Sequence, residues 1–116
     1  MQLETAKFFF DVVTACELIE KFTSDKTYTD FESDEMLRAA VERQFITVGE
    51  ALMQARKLNQ DSVASITSVV KIIGFRNVLV HGYGIIQPPT VWSAVQKDVA
   101  VLKREVQTLL ATAPAP

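Results

Sequence analysis

Cysteine and histidine each occur once in this chain. A single thiol cannot close an internal disulfide. One thiol and one imidazole, sixty-five residues apart at Cys16 and His81, cannot supply the ligand sets of zinc or copper, so no metal site and no cofactor are expected. Glycine and proline are scarce too, four of each, alongside 48% hydrophobic and 22% charged residues; that balance excludes a disordered chain. No apolar run reaches the roughly 18 to 20 residues of a bilayer span, and Met1-Gln-Leu-Glu-Thr5 lacks the charged-then-apolar layout of a secretory signal. The expectation is a soluble, cytoplasmic protein with no membrane partner. Glycine-rich phosphate loops and serine-centred nucleophile motifs are absent as well.

What is present is helical periodicity. Apolar residues recur three or four apart, without convincing two-residue alternation, which predicts an all-α fold, an up-down bundle of four to five helices around one core. A first helix is expected from about Glu4 to Thr23, with Phe8, Val12, Cys16, Ile19 and Phe22 on one stripe and Cys16 as a buried core thiol. A second should start near Thr29, where Thr29-Asp-Phe-Glu32 fits a capping box, and continue through Leu37, Val41, Phe45, Val48 and Leu52. Gly49 interrupts it at a cost of about 1 kcal/mol relative to alanine, which suggests close packing of another helix there. The acidic group Asp30, Glu32, Asp34 and Glu35 is read as favouring the positive end of this helix.

A third helix is expected to be capped by Asp61 or Ser62, to bury Val63, Ile66, Val70 and Ile73, and to end at Gly82, Gly84 and Pro88-Pro89. A fourth, from about Thr90 to Ala111, carries Trp92, Val95, Val99, Leu102, Val106 and Leu109 at heptad spacing. Residues 1–112 form one expected domain and residues 113–116 a flexible tail.

A net charge of −2 and a pI near 5.3 exclude a protein that coats nucleic acid by bulk electrostatics. The charge is uneven, however. Residues 1–65 hold seven Lys and Arg against twelve Asp and Glu, whereas residues 66–116 hold five against two. An anion-binding surface belongs in the second half.

That half contains Arg76-Asn-Val-Leu-Val-His-Gly-Tyr83. At about 100° per residue, Asn77 and His81 share a helix face, with Arg76 adjacent and Val78, Leu79 and Val80 available to anchor the backbone in the core. His81 at the helix's carboxyl end favours a charged imidazolium. Two readings stand. An isolated histidine near a helix end commonly caps or packs, with Tyr83 anchoring the turn. The alternative is attack by a ribose 2′-hydroxyl on the adjacent phosphorus, which needs a proton acceptor and a cation but no metal. Such cleavage wants both a base and an acid, and a symmetric dimer bringing two copies of His81 and Arg76 to one cleft would supply them.

The spacing Arg-x4-His-x-Tyr with asparagine after the arginine resembles the HEPN superfamily, most closely the HepT toxins of HepT–MntA systems. "DFESDEMLRAAVERQFITVGEAL" (30–52), "IIGFRNVLVHGYG" (72–84) and "VWSAVQKDVAVLKREV" (91–106) are similar to that family's second helix, signature turn and closing helix. Ser62-Val-Ala-Ser65 departs from the tryptophan or proline common before the third helix, and Gly82 stands where a charged residue is common. The resemblance implies a homodimeric, metal-independent endoribonuclease, the toxin of a type VII-like toxin–antitoxin system. Arg76 and His81 would be catalytic, Asn77 supporting, and RNA the substrate. It further implies a minimal nucleotidyltransferase antitoxin, MntA-like, that transfers AMP to Tyr83. A competing function is a non-catalytic substrate-binding or regulatory partner of such a nucleotidyltransferase, favoured by the acidic pI.

Overall fold

The apolar stripe of the first segment forms α1, Leu3–Thr23, and its residues Phe9, Val12, Cys16 and Ile19 are fully buried. Phe8 and Phe22 are only partly buried against this core, so the stripe is centred on Phe9 rather than Phe8. The protein is described by a computed structural model that covers residues 1–82 and 85–112; the tail expected at 113–116 lies outside the described residues. Among the described residues all regular structure is helical.

The second expected helix is two helices, α2 (Tyr28–Ser33) and α3 (Glu35–Leu58). Its capping box lies two residues upstream of the expected one. The Thr27 hydroxyl accepts from the Asp30 N–H at 3.1 Å, and the Asp30 carboxylate accepts from the Thr27 N–H at 2.9 Å. These bonds hold the Asp30 carboxyl below its ordinary range. The chain then extends at Asp34, whose carboxylate takes the Leu37 N–H at 3.1 Å and starts α3 afresh. Arg38 donates back to the carbonyls of Phe31 and Glu32 at the end of α2. Two members of the acidic group therefore serve as caps.

Leu37, Val41, Phe45, Val48 and Leu52 are buried as expected, because α3 is the central helix: α1 and α4 both pack on it, and α6 packs on α1. Tyr28 and Phe31 meet Trp92 with ring centroids 6.5 and 5.1 Å apart, tying α2 to the later helices.

After a 3₁₀ turn, Gln60–Val63, the helix carrying the motif, α4, begins only at Val69 and ends at His81. It starts later than the caps at Asp61 and Ser62 suggest. Asn59, not Asp61, caps the 3₁₀ turn, by accepting from the Asp61 N–H. The segment up to Ser68 is pinned instead by buried Val63 and Ile66, and by Glu105, which accepts from the Thr67 N–H and hydroxyl at 3.1 and 2.7 Å. Val70 is 77% exposed and Val80 44%. Both were expected in the core; helical rotation from Ile72, Ile73 and Phe75, which are buried, turns them away from it.

Gly82 closes α4 in the left-handed conformation, φ 68°, with its N–H on the Val78 carbonyl. Pro88 and Pro89 open the next helix rather than closing this one, consistent with proline's fixed φ at the first helical turn. The last expected helix is α5 (Pro88–Lys97) and α6 (Val99–Ala111). Asp98 sits between them, yet its own N–H still reaches the Ala94 carbonyl and its carbonyl still accepts from Leu102. Its carboxylate pairs with Lys71 of α4 at 2.5 Å. No helix among the described residues is long and apolar enough to cross a membrane.

Candidate active site

Two contacts fix α4 against α3 at the motif. Phe45 and Phe75 pack edge to face at 5.7 Å. One turn along, Gly49 leaves a notch into which the stem of Arg76 fits: a Cβ on residue 49 would stand 2.4 Å from Arg76 Cβ and 3.1 Å from the Ile72 carbonyl oxygen. Only glycine permits that approach. The expectation of close helix packing at Gly49 is met, and its partner is the arginine of the motif.

The Arg76 side chain is 18% exposed, and its Nη2 stands 3.6 Å from the carboxylate of Glu50. Its Nη1 donates to the Asn77 side-chain oxygen at 3.1 Å. Its Nε is buried without a hydrogen-bond partner among the described residues. An unsatisfied buried donor costs about 1–3 kcal/mol, so it calls for a reason, and a binding or catalytic role is one such reason. The guanidinium is thus aimed by its neighbours and retains bonding capacity.

Asn77 and His81 are exposed on α4, four residues apart and hence on one face, with His81 the last residue of the helix. The structure brings Arg76 and Asn77 together directly, and Asn77 links the arginine to the face that carries His81. Tyr83, the remaining residue singled out in the motif, lies outside the described residues.

The positive bias of the second half is partly cancelled by pairing, while Lys97 and Arg104 stay exposed. Lys71, Arg76 and Lys103 are paired with Asp98, Glu50 and Glu20 respectively. Cys16 is buried in the core, where burial pushes its thiol up from an ordinary 9.0 to about 12, the opposite of nucleophile activation.

Glu50 carries no motif of its own in the sequence; its one signal there is its place beside Gly49. A cavity of about 380 Å³ also opens where α1 and α3 approach Arg76, with Phe8 and Asp11 from α1, and Glu50, Met53, Gln54 and Lys57 among its lining residues from α3. No local motif announces it, because its walls come from three separate segments.

An all-α bundle that presents an arginine, an asparagine and a histidine at one end of a helix is the context in which the comparisons fall. The Ribonuclease HepT-like family model matches residues 12–109. The chain belongs to this HepT-like family of the HEPN superfamily. It is 32% identical to "Putative RNase MJ1380" of Methanocaldococcus jannaschii, over 86% of this chain and 91% of that protein. It is 25% identical to "Putative RNase MJ0125" of the same organism, over 89% and 88%. With "Probable ribonuclease HepT" of Thermococcus cleftensis it shares 28% identity over 85% and 89%. No solved structure matches the chain.

Proposed function

We propose that this protein is a metal-independent endoribonuclease that acts as the toxin of a type VII-like toxin–antitoxin pair, with Arg76 and His81 as its catalytic residues. The observation that carries the reading is the mounting of Arg76: seated in the Gly49 notch, oriented by Glu50 and Asn77, and still holding unused donors. A planar guanidinium held this way suits the negative charge that grows on phosphorus when a ribose 2′-hydroxyl attacks. His81, exposed and one turn from Asn77, takes the proton of that hydroxyl or returns one to the leaving 5′ oxygen. Family membership supports the reaction class.

Two copies complete the site. Buried residues of α4 face α3, while Val70, Gly74, Asn77, Val80 and His81 are exposed. A helix that is apolar on nearly all sides belongs in a core or an interface. The Cα envelope, 44 × 31 × 20 Å, is only about two helix diameters thick, which accounts for the uncovered face. A homodimer through this face would set two His81 side chains at one cleft, giving a base and an acid.

Tyr83 is the acceptor of AMP from a minimal nucleotidyltransferase antitoxin in this reading. It follows His81 by two residues, so added phosphate and adenine would obstruct the cleft by bulk and charge. The test is expression in a host with and without that nucleotidyltransferase. Wild type should arrest growth alone and not with the partner, His81→Ala should be harmless with unchanged helical content, and Tyr83→Phe should arrest growth in both cases. Growth arrest by His81→Ala would sink the catalytic assignment. The second reading, a non-catalytic regulatory partner of the nucleotidyltransferase, is favoured by the ion pairing of three of the five second-half cations and would be upheld by a stable complex of the two proteins without RNA cleavage.

A further inference from the structure

We propose that the cavity beside Arg76 is a base-reading subsite that takes a guanine of single-stranded RNA next to the scissile phosphate; this rests on the ribonuclease reading. Arg76 belongs both to the motif and to the cavity wall, so a phosphate held by its guanidinium places the attached nucleotide at the cavity mouth. The volume of about 380 Å³ falls within the range of small-ligand pockets.

The lining selects a base rather than a second phosphate. Phe8 and Met53 both line the cavity and are partly buried and packed against the core, which makes them a fixed apolar surface against which a base can stack. Asp11 and Glu50 put two carboxylates at the same cavity, which offset its two cations, Lys57 and Arg76, and favour a neutral base between the phosphates those cations hold over a further anion. Glu50 is engaged with Arg76 and the Thr47 hydroxyl donates to the Arg43 carbonyl, which leaves Asp11 and Gln54 as the groups that meet the base edge.

The two oxygens of a carboxylate match two adjacent N–H donors. Guanine presents such a pair, N1–H and the N2 amino group, on its Watson–Crick edge. Adenine and cytosine set their amino group beside a ring-nitrogen acceptor, and uracil flanks its single N–H with two carbonyls. Each would turn a lone pair toward the second carboxylate oxygen. Gln54 can donate to the guanine O6 acceptor, and Lys57 at the same cavity can follow the neighbouring backbone phosphate.

The experiment uses the full chain and 2′-O-methyl hexauridylates carrying one central guanine, inosine or adenine. These probes lack the attacking hydroxyl and are not cleaved. Binding is read by fluorescence anisotropy, and its location by NMR shifts of the Met53 methyl and the Gln54 side-chain amide. Guanine should bind about tenfold tighter than inosine, which lacks the N2 amino group, and Asp11→Asn should erase the difference, as expected for a bidentate base contact. Asp11 is exposed, so this variant keeps its fold. Equal binding of the three probes, or shifts that spare Met53 and Gln54, would overturn the proposal. RNA cleavage by the same preparation reports separately on the ribonuclease reading: cleavage without guanine preference defeats the subsite alone, and guanine-selective binding without cleavage defeats the enzyme alone.

Discussion

Gly49 and Arg76 occupy the same crossing point of α3 and α4, and the arginine can lie where it does only because residue 49 has no Cβ. Gly49→Ala would gain about 1 kcal/mol of helix propensity and lose more to overpacking, typically about 1–3 kcal/mol. Both the base of the Arg76 side chain, its Cβ and Cγ, and the Ile72 backbone carbonyl resist displacement. The expected outcome is a net loss of stability of about 1 kcal/mol in urea unfolding. A fall in RNA cleavage larger than the unfolded fraction explains should accompany it, since α4 must shift away from α3.

Glu50 aims Arg76 rather than stabilising the fold. The ion pair is 3.6 Å long and the Glu50 side chain is 49% exposed, so solvent screens it. Glu50→Gln should alter stability by less than about 1 kcal/mol. Cleavage should fall roughly tenfold, in kcat more than in KM, because small displacements of a charge-stabilising group weigh on the transition state. Steady-state kinetics with a fluorogenic RNA checks this.

How much of this was legible beforehand differs between elements. The core of α3 was readable because Leu37, Val41, Phe45, Val48 and Leu52 hold one stripe for its whole length, and Gly49 announced a close approach by its cost. The breaks at Asp34 and Asp98 were not readable. An aspartate within a periodic stretch signals a cap only when the backbone turns to use it, and at Asp98 the apolar pattern runs straight through. Val70 was misplaced because α4 is apolar on nearly every side, so periodicity could not tell which side meets α3. Arg76, Asn77 and His81 were visible as a motif. Glu50 and the cavity residues were not, since their proximity to Arg76 is made by the packing of three helices.

Val70 tests the uncovered face of α4. It is 77% exposed, so Val70→Asp should leave the unfolding free energy of the isolated subunit within about 0.5 kcal/mol of wild type. In the proposed homodimer it places two carboxylates in an apolar interface. Sedimentation velocity should show a shift from dimer to monomer with loss of cleavage; a monomeric wild type would contradict the two-copy site.

Cys16 supplies a pH dependence. Its folded thiol titrates near 12 and the unfolded one near 9.0, so both states hold the proton below pH 9 and stability there is insensitive to this group. Between about 9 and 12 the unfolded chain loses the proton while the fold retains it, and stability declines by up to about 1.4 kcal/mol per pH unit. The difference in urea midpoint between wild type and Cys16→Ala should therefore move against wild type from pH 8 to pH 10.5. In the folded protein at pH 8, iodoacetamide should react only at the rate of unfolding.

The claim on which the rest depends is that Arg76 and His81 direct a 2′-hydroxyl onto phosphorus without a metal. It is tested most directly by incubating purified protein with single-stranded RNA in excess EDTA and determining the chemistry of the new ends. Cleavage should leave 2′,3′-cyclic phosphate and 5′-hydroxyl ends and fall by about 100-fold or more in both His81→Ala and Arg76→Ala. Cleavage that requires an added divalent ion, or that persists in His81→Ala, would contradict it.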